Sequence, residues 1–195
     1  MTVIIALKDE KNKKIYLGAD RQWTGGDMSY RNFGCKLLKV EIPIDNDSID
    51  EMYIAFSGSA FLHQYLLNVF QAPVWDADYS FINYLYNQYF FELKQQLLEQ
   101  QLIKKDKELL DSEAGLILIH DENLYEVYYD LSIVESPRKY VVSGAGYKIA
   151  TAIIENDLKF HQDMDYKKIV EEALYTTGEL NIYCNTDYDI LTIDY

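Results

Sequence analysis

The first sixty residues alternate between short apolar runs and polar turns. The run at 2–7 is rich in β-branched residues, and after a polar turn the run at 15–20 returns as the second strand of a hairpin. Further strands are predicted at 36–40 and 52–56, with a polar, acidic loop at 43–50 between them. This part of the pattern therefore predicts short antiparallel strands joined by turns.

The middle of the chain has helical periodicity. An apolar helix is predicted at 60–70, and Pro73 helps to end it because proline lacks a backbone donor. From Ser80 to about Leu110, apolar residues recur at steps of three and four, which indicates one face of a long helix. The residues of that face are Ile82, Leu85, Tyr86, Tyr89, Phe90, Leu93 and Leu97. The part beyond residue 99 is strongly polar.

The remainder of the chain contains strands on either side of two further helices. The strands are predicted at 115–119, 124–129, 140–142, 181–184 and 189–193. The helices are predicted at 147–156 and at 166–177, and the second stops near Gly178. Two antiparallel sheets packed face to face between helix layers would bury every apolar face of this element order. The sequence therefore predicts an α+β fold, a four-layer αββα sandwich that forms a single domain over residues 1–195.

Composition and charge narrow the classes of function. The net charge of −14 argues against nucleic acid or an anionic membrane surface as a partner, because both repel an acidic protein. Cys35 and Cys184 have no close-spaced partner, so a reduced, cytoplasmic setting is predicted. The N-terminus lacks the basic start and long apolar core of a signal peptide, and no apolar stretch has the length needed to cross a bilayer.

Three residues near the N-terminus form a pattern that carries chemistry. Thr2 follows the initiator Met and opens the first strand, Asp20 ends the second strand, and Lys36 begins the third, sixteen positions after Asp20. In this arrangement the chain resembles the proteasome β subunits and their bacterial relative HslV, which begin the mature chain with Thr and place an Asp and a Lys at these points. The two extra residues before Asp20 fall in the hairpin turn, where a change of length is tolerated.

Four further segments match the family pattern in order along nearly the whole chain. They are Ala19–Thr24, similar to the family's Asp-x-Gln-Ala-Thr segment; Phe56–Ser59, similar to its Ala-Gly-Gly turn; Ser143–Tyr147, similar to its Gly-Ser-Gly segment; and Gly178–Tyr183, similar to its Gly-Asp-Ile-Cys-Ile-Tyr run. Ala173 and Thr176 stand about where proteasome subunits carry an Asp and a Ser, and this departure favours the HslV-like branch. The resemblance implies the N-terminal-nucleophile hydrolase fold and a threonine peptidase.

The resemblance also implies how Thr2 would act. Once Met1 is removed, the free α-amine, with a reference pKa of about 7.7 to 8.0, would accept the proton of the Thr2 hydroxyl. Lys36 would favour the alkoxide and lower the proton affinity of the amine. Asp20 would hold Lys36 in place and compensate its buried charge.

The same resemblance assigns the rest of the site. The backbone N–H of Gly58 would stabilise the oxyanion, and Ser143 would assist proton movement around the amine. A peptide substrate would add as a strand between the segment of Thr24 and the glycine turn. The residues expected to bind substrate are Gln22, Trp23, Thr24, Phe56 and Ala60. Trp23 replaces a small residue of the family pattern, so it either narrows or covers the first specificity pocket.

Partners and cofactors follow from the resemblance as well. Family members assemble into homo-oligomeric rings, act on polypeptides and work with a ring-shaped AAA+ unfoldase. The chain has no nucleotide-binding motif, so ATP would act only through that partner. No organic cofactor and no catalytic metal is expected, and the resemblance allows a structural monovalent cation near Gly178–Cys184. The Tyr-rich helix at 79–91 is expected either to contact ring neighbours or to pack in the core.

Each residue of the pattern also has an ordinary explanation. A Thr after the initiator Met is common, and an Asp that closes a strand often caps a turn. Lys36 alone would be a solvent lysine, Gly58 a turn residue and Ser143 the cap of the next helix. The case for a site rests on all of them occurring together at the family's spacing.

Other chemistries find less support in the sequence. The histidines are scattered without ligand spacing, so core or surface roles are expected for His63, His120 and His161. Ser57–Ser59 lacks the Gly-x-Ser-x-Gly elbow of the α/β hydrolases. Ser143–Lys148 lacks the glycine-lysine-hydroxyl pattern of a phosphate loop.

Three functional hypotheses remain open at this point. The first is a threonine peptidase in a self-compartmentalised ring. The second is a catalytically inactive homologue that keeps the fold as a structural or assembly component; the Asp20–Lys36 pair favours the first, because an inactive homologue has no evident need for it. The third is an amidase that acts on a small amide from an open, monomeric pocket. A retained Met1 would block the amine of Thr2, so its removal decides between the first two.

Overall fold

The computed structural model describes residues 2–25, 28–30, 35–44, 48–58, 60–102, 115–128, 130–160 and 164–195, and for residues 24–25 and 28–30 it describes the main chain alone. The strands are β1 Val3–Asp9, β2 Lys14–Asp20, β3 Trp23–Gly25, β4 Met28–Tyr30, β5 Leu37–Ile44, β6 Ser48–Ser57, β7 Gly115–His120, β8 Asn123–Val127, β9 Ile133–Glu135, β10 Tyr140–Gly144 and β11 Tyr188–Asp194. The helices are α1 Ala60–Asn68, α2 Phe81–Tyr84, α3 Phe90–Glu99, α4 Tyr147–Phe160 and α5 Tyr166–Leu180, with a π-helical turn Leu85–Tyr89 between α2 and α3.

Two antiparallel sheets form the centre of the fold. The first sheet has the strand order β10-β1-β2-β11, and the second has the order β5-β6-β7-β8-β9. Among the described residues, the short strands β3 and β4 pair with each other in a separate two-stranded sheet. The predicted α+β class with two antiparallel sheets between helix layers is therefore confirmed.

Three clusters of buried side chains lie between four layers. One cluster joins α4 and α5 to the first sheet. A second joins the two sheets, and a third joins the second sheet to α1, α2 and α3. Each sheet therefore has both faces covered, so its central strands can be apolar on both sides.

Strand β1 illustrates this two-sided burial. Val3, Ile5 and Leu7 point into the cluster with α4 and α5, whereas Ile4 and Ala6 point into the cluster between the sheets. Successive side chains of a strand point to opposite faces. The continuous apolar run after Thr2 is therefore what a central strand of the inner layers requires, and it fixes the start of the chain in the core.

The C-terminal helix extends further than predicted. Helix α5 runs past Gly178 to Leu180, and residues 181–184 form a turn where a strand was predicted, so both predictions were wrong. The N–H of Asn181 still donates to the Thr177 carbonyl at 2.9 Å, which continues the helical bonding. The Asn181 side chain and carbonyl then accept bonds from the next residues, a local arrangement that competes with a strand.

Two other boundaries also differ from the predictions. The predicted loop at 43–50 is largely strand, because Ile44 of β5 pairs with Ser48 of β6; residues 45–47 lie outside the described residues. Helix α1 ends at Asn68, well before Pro73. The predicted long helix from Ser80 is confirmed as far as Glu99, with the π-helical turn inside it, and its polar end from residue 103 lies outside the described residues.

Within the described ranges, no helix combines the length and the hydropathy that crossing a membrane requires.

Candidate active site

The three residues of the sequence pattern meet at one end of the two sheets. Thr2 immediately precedes β1 and Asp20 ends β2, and the pairing of Ile4 with Ala19 brings these two strand ends together. Lys36 immediately precedes β5 of the other sheet. All three residues are buried, and the side chains of Lys36 and Asp20 are 1% and 0% exposed. Their separation along the chain is thus bridged by the packing of the sheets.

The carboxylate of Asp20 is the centre of a hydrogen-bond cluster. Its Oδ1 accepts from the Thr2 hydroxyl at 2.6 Å, from Lys36 Nζ at 2.9 Å and from the Val3 N–H at 3.1 Å. Its Oδ2 accepts from the N–H of Asn185 at 3.0 Å. A buried carboxylate needs partners of this kind to offset the loss of hydration. Asp20 is therefore fixed in orientation by donors from three separate segments.

The carbonyl oxygen of Gln22 completes the cluster. It accepts a hydrogen bond from Lys36 Nζ and lies 3.3 Å from the Thr2 hydroxyl oxygen. The hydroxyl of Thr2 and the ammonium of Lys36 therefore share two acceptors, Asp20 Oδ1 and the Gln22 carbonyl. This places a positive charge next to the hydroxyl, which favours its ionised form.

The environment of Lys36 is apolar apart from these contacts. Burial lowers the pKa of Lys36 below the ordinary value for lysine, while the charge and the hydrogen bond of Asp20 oppose the shift. Lys36 Nζ also lies 5.3 Å from the centre of the Trp23 ring, at a distance typical of a cation–π contact. Burial together with the charge of Asp20 raises the pKa of the nearby Cys184 thiol to about 12, so this thiol stays protonated and unreactive.

Strand β10 closes the cluster on the side of Thr2. Gly144 pairs with Val3, and a Cβ at Gly144 would overlap the Thr2 carbonyl oxygen and approach Ser57 Oγ. Gly144 also has a φ of +92°, which favours glycine. The backbone of β10 can therefore approach Thr2 this closely only because residue 144 has no side chain.

We expect Gly144→Ala to destabilise the protein by about 1–3 kcal/mol, since it combines a positive φ with a clash against main chain. The same change displaces Thr2, so any activity of the site should fall with stability. Urea denaturation of the variant and of the original chain measures the first effect. A variant as stable as the original chain would contradict the close approach of Gly144 to Thr2.

Comparison with known proteins gives the family context of this geometry. No protein-family model matches the chain. The chain is 32% identical over 92 residues, 47% of its length and 51% of the other's, to the ATP-dependent protease subunit HslV of Nitratiruptor sp.. It is 25% identical over 196 aligned positions, covering 99% of this chain and 97% of the relative, to the ATP-dependent protease subunit HslV of Aliarcobacter butzleri.

Solved structures agree with these relatives at the level of the fold. The HslV of Trypanosoma brucei superposes over the whole of both chains with a TM-score of 0.65 at 20% identity. The BPH protein of Thiobacillus denitrificans, solved in complex with epoxomicin, superposes over 99% of this chain and 98% of its own, with a TM-score of 0.73 at 15% identity. The chain is thus similar in sequence to two HslV subunits and has the fold of these solved structures.

The glycine turn lies at the end of β6. Gly58 follows Ser57 directly, is exposed and has a φ of +132°, so the turn depends on glycine here. Ser59 lies outside the described residues. Ala60 is the exposed first residue of α1. The oxyanion role predicted for Gly58 and the substrate contact predicted for Ala60 stay predictions.

Ser143 lies one residue before Gly144 in β10. It pairs with Ile4 of β1, and its hydroxyl lies against the α-carbon of Gly115. Within the described part of the chain, no hydrogen bond joins Ser143 to the cluster around Asp20. The structure thus brings Ser143 near Thr2 along the strand, and the proton-transfer role predicted for it stays a prediction.

The residues predicted to bind substrate are unequally accessible. Trp23 is 7% exposed and Phe56 is fully buried. Gln22 is also buried, and its side chain donates to the Ile182 carbonyl at 3.2 Å. Thr24 contributes its main chain to the β3–β4 hairpin, opposite Ser29. The indole of Trp23 therefore lies inside the protein beside Lys36.

Sequence reasoning placed His63 in the core or at the surface, and the structure places it in the core next to the site. Its ring packs 5.3 Å from the Trp23 ring and 5.8 Å from the Phe56 ring, measured between centroids. Burial lowers the pKa of His63, which keeps the ring neutral near pH 7. The position of His63 in the sequence did not indicate that its ring would pack against the Trp23 indole beside Lys36.

Asn185 and Arg21 could not be found from the sequence. Asn185 acts through its main-chain N–H, which any residue other than proline supplies, so no residue type could have identified it. Arg21 forms a bidentate ion pair with Asp189 of β11. That pair ties the segment between Asp20 and Gln22 to the edge strand of the first sheet. An ion pair between two residues as far apart in the chain as Arg21 and Asp189 cannot be recognised from one sequence.

His120 lies between two aspartates, away from Thr2 in the second sheet. Asp50, His120 and Asp121 bring potential metal ligands together. The two carboxylates face opposite ring nitrogens, Asp50 at 2.7 Å from Nε2 and Asp121 at 3.8 Å from Nδ1. The ring is also stacked on Phe81, so it is held as a structural group. His161 lies outside the described residues, and the expected absence of a catalytic metal stays a prediction.

Proposed function

We propose that this chain is a threonine-type peptidase subunit in which Thr2, freed by removal of Met1, attacks peptide bonds. The observation that carries the proposal is the buried cluster in which the Thr2 hydroxyl and the Lys36 ammonium share Asp20 Oδ1 and the Gln22 carbonyl. Burying the Lys36 ammonium and the Asp20 carboxylate costs free energy, and both groups lie next to one hydroxyl, that of Thr2. The names of the two HslV relatives support the same activity.

The proposed reaction begins with proton transfer from the Thr2 hydroxyl to its own α-amine. The oxygen bonds to the carbonyl carbon of the substrate, the N–H of Gly58 stabilises the resulting oxyanion, and the amine returns the proton to the leaving nitrogen as the peptide bond breaks. Water then hydrolyses the acyl ester by the same proton path. Lys36 lowers the energy of the alkoxide, Asp20 holds Lys36, and Ser143 assists proton movement.

The proposal includes a homo-oligomeric ring in the cytoplasm and an AAA+ unfoldase as partner. The relatives are named as subunits of ATP-dependent proteases, while this chain carries no nucleotide-binding motif. Tyr79, Tyr86 and Phe91 are exposed near or on the predicted contact helix, whereas Tyr84 and Tyr89 are buried. The exposed aromatic residues support a ring contact, and the buried ones pack in the core. The monovalent cation near Gly178–Cys184 remains part of the proposal.

A fusion that controls the N-terminus tests the proposal. The chain is produced behind a removable protein whose excision leaves Thr2 as the first residue. We expect no cleavage of an unstructured polypeptide before excision and cleavage after it, because only the free amine can act as the base. Activity that is the same before and after excision would contradict the mechanism, and no activity in either state would favour the inactive homologue.

The dependence of the rate on pH follows from the same groups. The rate should rise as the α-amine loses its proton and fall again as Lys36 loses its own. Because burial lowers the pKa of Lys36, we expect the alkaline fall to begin below about 10.4, the reference pKa of lysine. Values of kcat/KM measured against pH, with circular dichroism to confirm folding, check this. A rate that stays constant past the reference value would contradict the role of the Lys36 charge.

A further inference from the structure

A groove separates the free edges of the two sheets. Strand β10 is one of the two edge strands of the first sheet, and β9 is one of the two edge strands of the second. Between them lies a groove of about 970 Å³, whose lining includes Val134 and Ser136 on the side of β9 and all of β10 from Tyr140 to Gly144. Edge strands present unpaired main-chain groups, so a groove between two of them suits an extended chain.

The register of β10 defines which main-chain groups point into this groove. The N–H of Lys8 donates to the carbonyl of Lys139, and in an antiparallel pair every second residue bonds to the neighbour. Val141 and Ser143 therefore bond to β1, whereas the N–H and C=O of Val142 point away from it. In the part of the chain that the structure describes, neither group of Val142 has a partner.

Residues of the same chain bond to the outer edges of β9 and β5. On β9, the hydroxyl of Tyr86 accepts from the N–H of Ile133 at 2.7 Å. On β5, the N–H of Trp75 donates to the carbonyl of Pro43 at 2.7 Å. Native proteins cover or charge such edges to prevent unwanted pairing. The middle of β10 differs from these two edges, and the main-chain groups of Val142 are available to a paired chain.

Apolar side chains line the groove alongside this edge. Val134, Tyr128 and Tyr147 are 48%, 40% and 48% exposed, and all three line the groove. An added strand would direct alternate side chains toward such residues. The edge would supply affinity through main-chain hydrogen bonds, and the apolar walls would select hydrophobic residues at alternate positions.

The groove reaches the end of β10 that packs against the main chain of Thr2. Ser143 and Gly144 line the groove, and the α-carbon of Gly144 lies against the Thr2 carbonyl oxygen and Ser57 Oγ. Thr2 is buried and is not among the residues that line the groove, so a chain paired with β10 runs toward the main chain of the residue proposed as the nucleophile. A polypeptide substrate fits this position better than an unrelated partner, because the same chain would occupy the groove and present a bond to Thr2.

We propose that β10 is a second substrate-binding edge, on which an extended polypeptide pairs with Val142 and fills the groove between β9 and β10. This inference rests on the proposed peptidase function, and it concerns a part of the substrate distant from the pocket of Trp23. It assigns recognition to main-chain groups and to hydrophobic residues at alternate positions. Long, unfolded substrates should therefore bind more tightly than short peptides.

Binding to a chain that carries Thr2→Ala tests the groove without requiring cleavage. The probe is a fluorescein-labelled, unstructured peptide of about 12 residues, long enough to span the strand and the site, with Val and Tyr at alternate positions. Val142→Pro removes the outward donor and leaves the bonds of Val141 and Ser143 to β1, since proline is tolerated at such edge positions. Val134→Glu places a charge on the opposite wall. We expect each change to raise the Kd from fluorescence anisotropy by about tenfold or more.

Ile49→Glu is the matched control. Ile49 is an exposed apolar strand residue, 64% exposed, outside the groove, so the same chemical change there should leave the Kd within about twofold. An unchanged Kd in both Val142→Pro and Val134→Glu would overturn the proposal. If Val142→Pro does not fold, an unchanged Kd in Val134→Glu is enough to overturn it. If Val134→Glu dissociates an oligomer and leaves the peptide Kd unchanged, a second copy of the chain occupies the groove and the proposal is likewise overturned. Failure of the peptidase itself appears separately, as peptide binding without cleavage by the chain with Thr2 intact.

Discussion

The Thr2→Ala chain is expected to cleave peptides at least about 10³-fold more slowly than the original chain, because it lacks the proposed nucleophile. The substitution also removes the hydroxyl that donates to Asp20 Oδ1 at 2.6 Å. The lost hydrogen bond should cost only about 1 kcal/mol of stability, since Lys36, Val3 and Asn185 still donate to the carboxylate. Activity should therefore disappear while the protein remains folded.

Thr2→Ser is the matched control for this prediction. Serine keeps the hydroxyl and the α-amine and loses only the methyl group. We expect it to retain measurable cleavage of a fluorogenic peptide, with a thermal midpoint close to that of Thr2→Ala. Wild-type rates in the alanine variant would remove Thr2 from the mechanism.

Of the single substitutions proposed for the site, Asp20→Ala should lower the free energy of unfolding the most. It leaves the ammonium of Lys36 buried without its counter-charge, and removing one partner of a buried ion pair costs about 3–5 kcal/mol. The Gln22 carbonyl remains as a neutral acceptor for Lys36 but cannot replace the charge. Chemical denaturation measures the free energy of unfolding, and the same variant should have no peptidase activity.

The double variant Asp20→Asn with Lys36→Met separates charge from packing. It removes both charges together, and buried ion pairs replaced by uncharged groups of similar volume often keep or gain stability. We expect the double variant to recover most of the stability lost in Asp20→Ala and none of the activity. In a double-mutant cycle of Asp20→Asn and Lys36→Met, losses of stability that simply add would contradict the coupling between Asp20 and Lys36.

The sequence predicted the layers of the fold better than its boundaries. The apolar run after Thr2 and the periodic face from Ile82 to Leu97 are long signals, and each produced the expected element. The turn at 181–184 was mistaken for a strand because its β-prone residues are countered by side-chain hydrogen bonds of Asn181. The short strand β9 was missed for a related reason: three residues give no usable period, and its pairing with β8 depends on tertiary contacts.

The part of the candidate site that consists of side-chain functional groups could be predicted from the sequence. Thr2, Asp20 and Lys36 have functional groups at recognisable spacing, and the structure brings these three into one cluster. The N–H of Asn185 could not be predicted, because main-chain donors have no residue signature. His63 gave no signal either, since its contact with Trp23 depends on how α1 packs against the start of β3.

Intact mass after incubation with a peptide epoxyketone tests the central proposal most directly. Such a probe needs both the hydroxyl and the free amine of an N-terminal nucleophile, so it reports on Thr2 and on Met1 removal together. We expect a mass that lacks Met1 and is increased by one probe, with no addition to the Thr2→Ala chain. An unmodified chain that has lost Met1 and remains folded would contradict Thr2 as an active nucleophile.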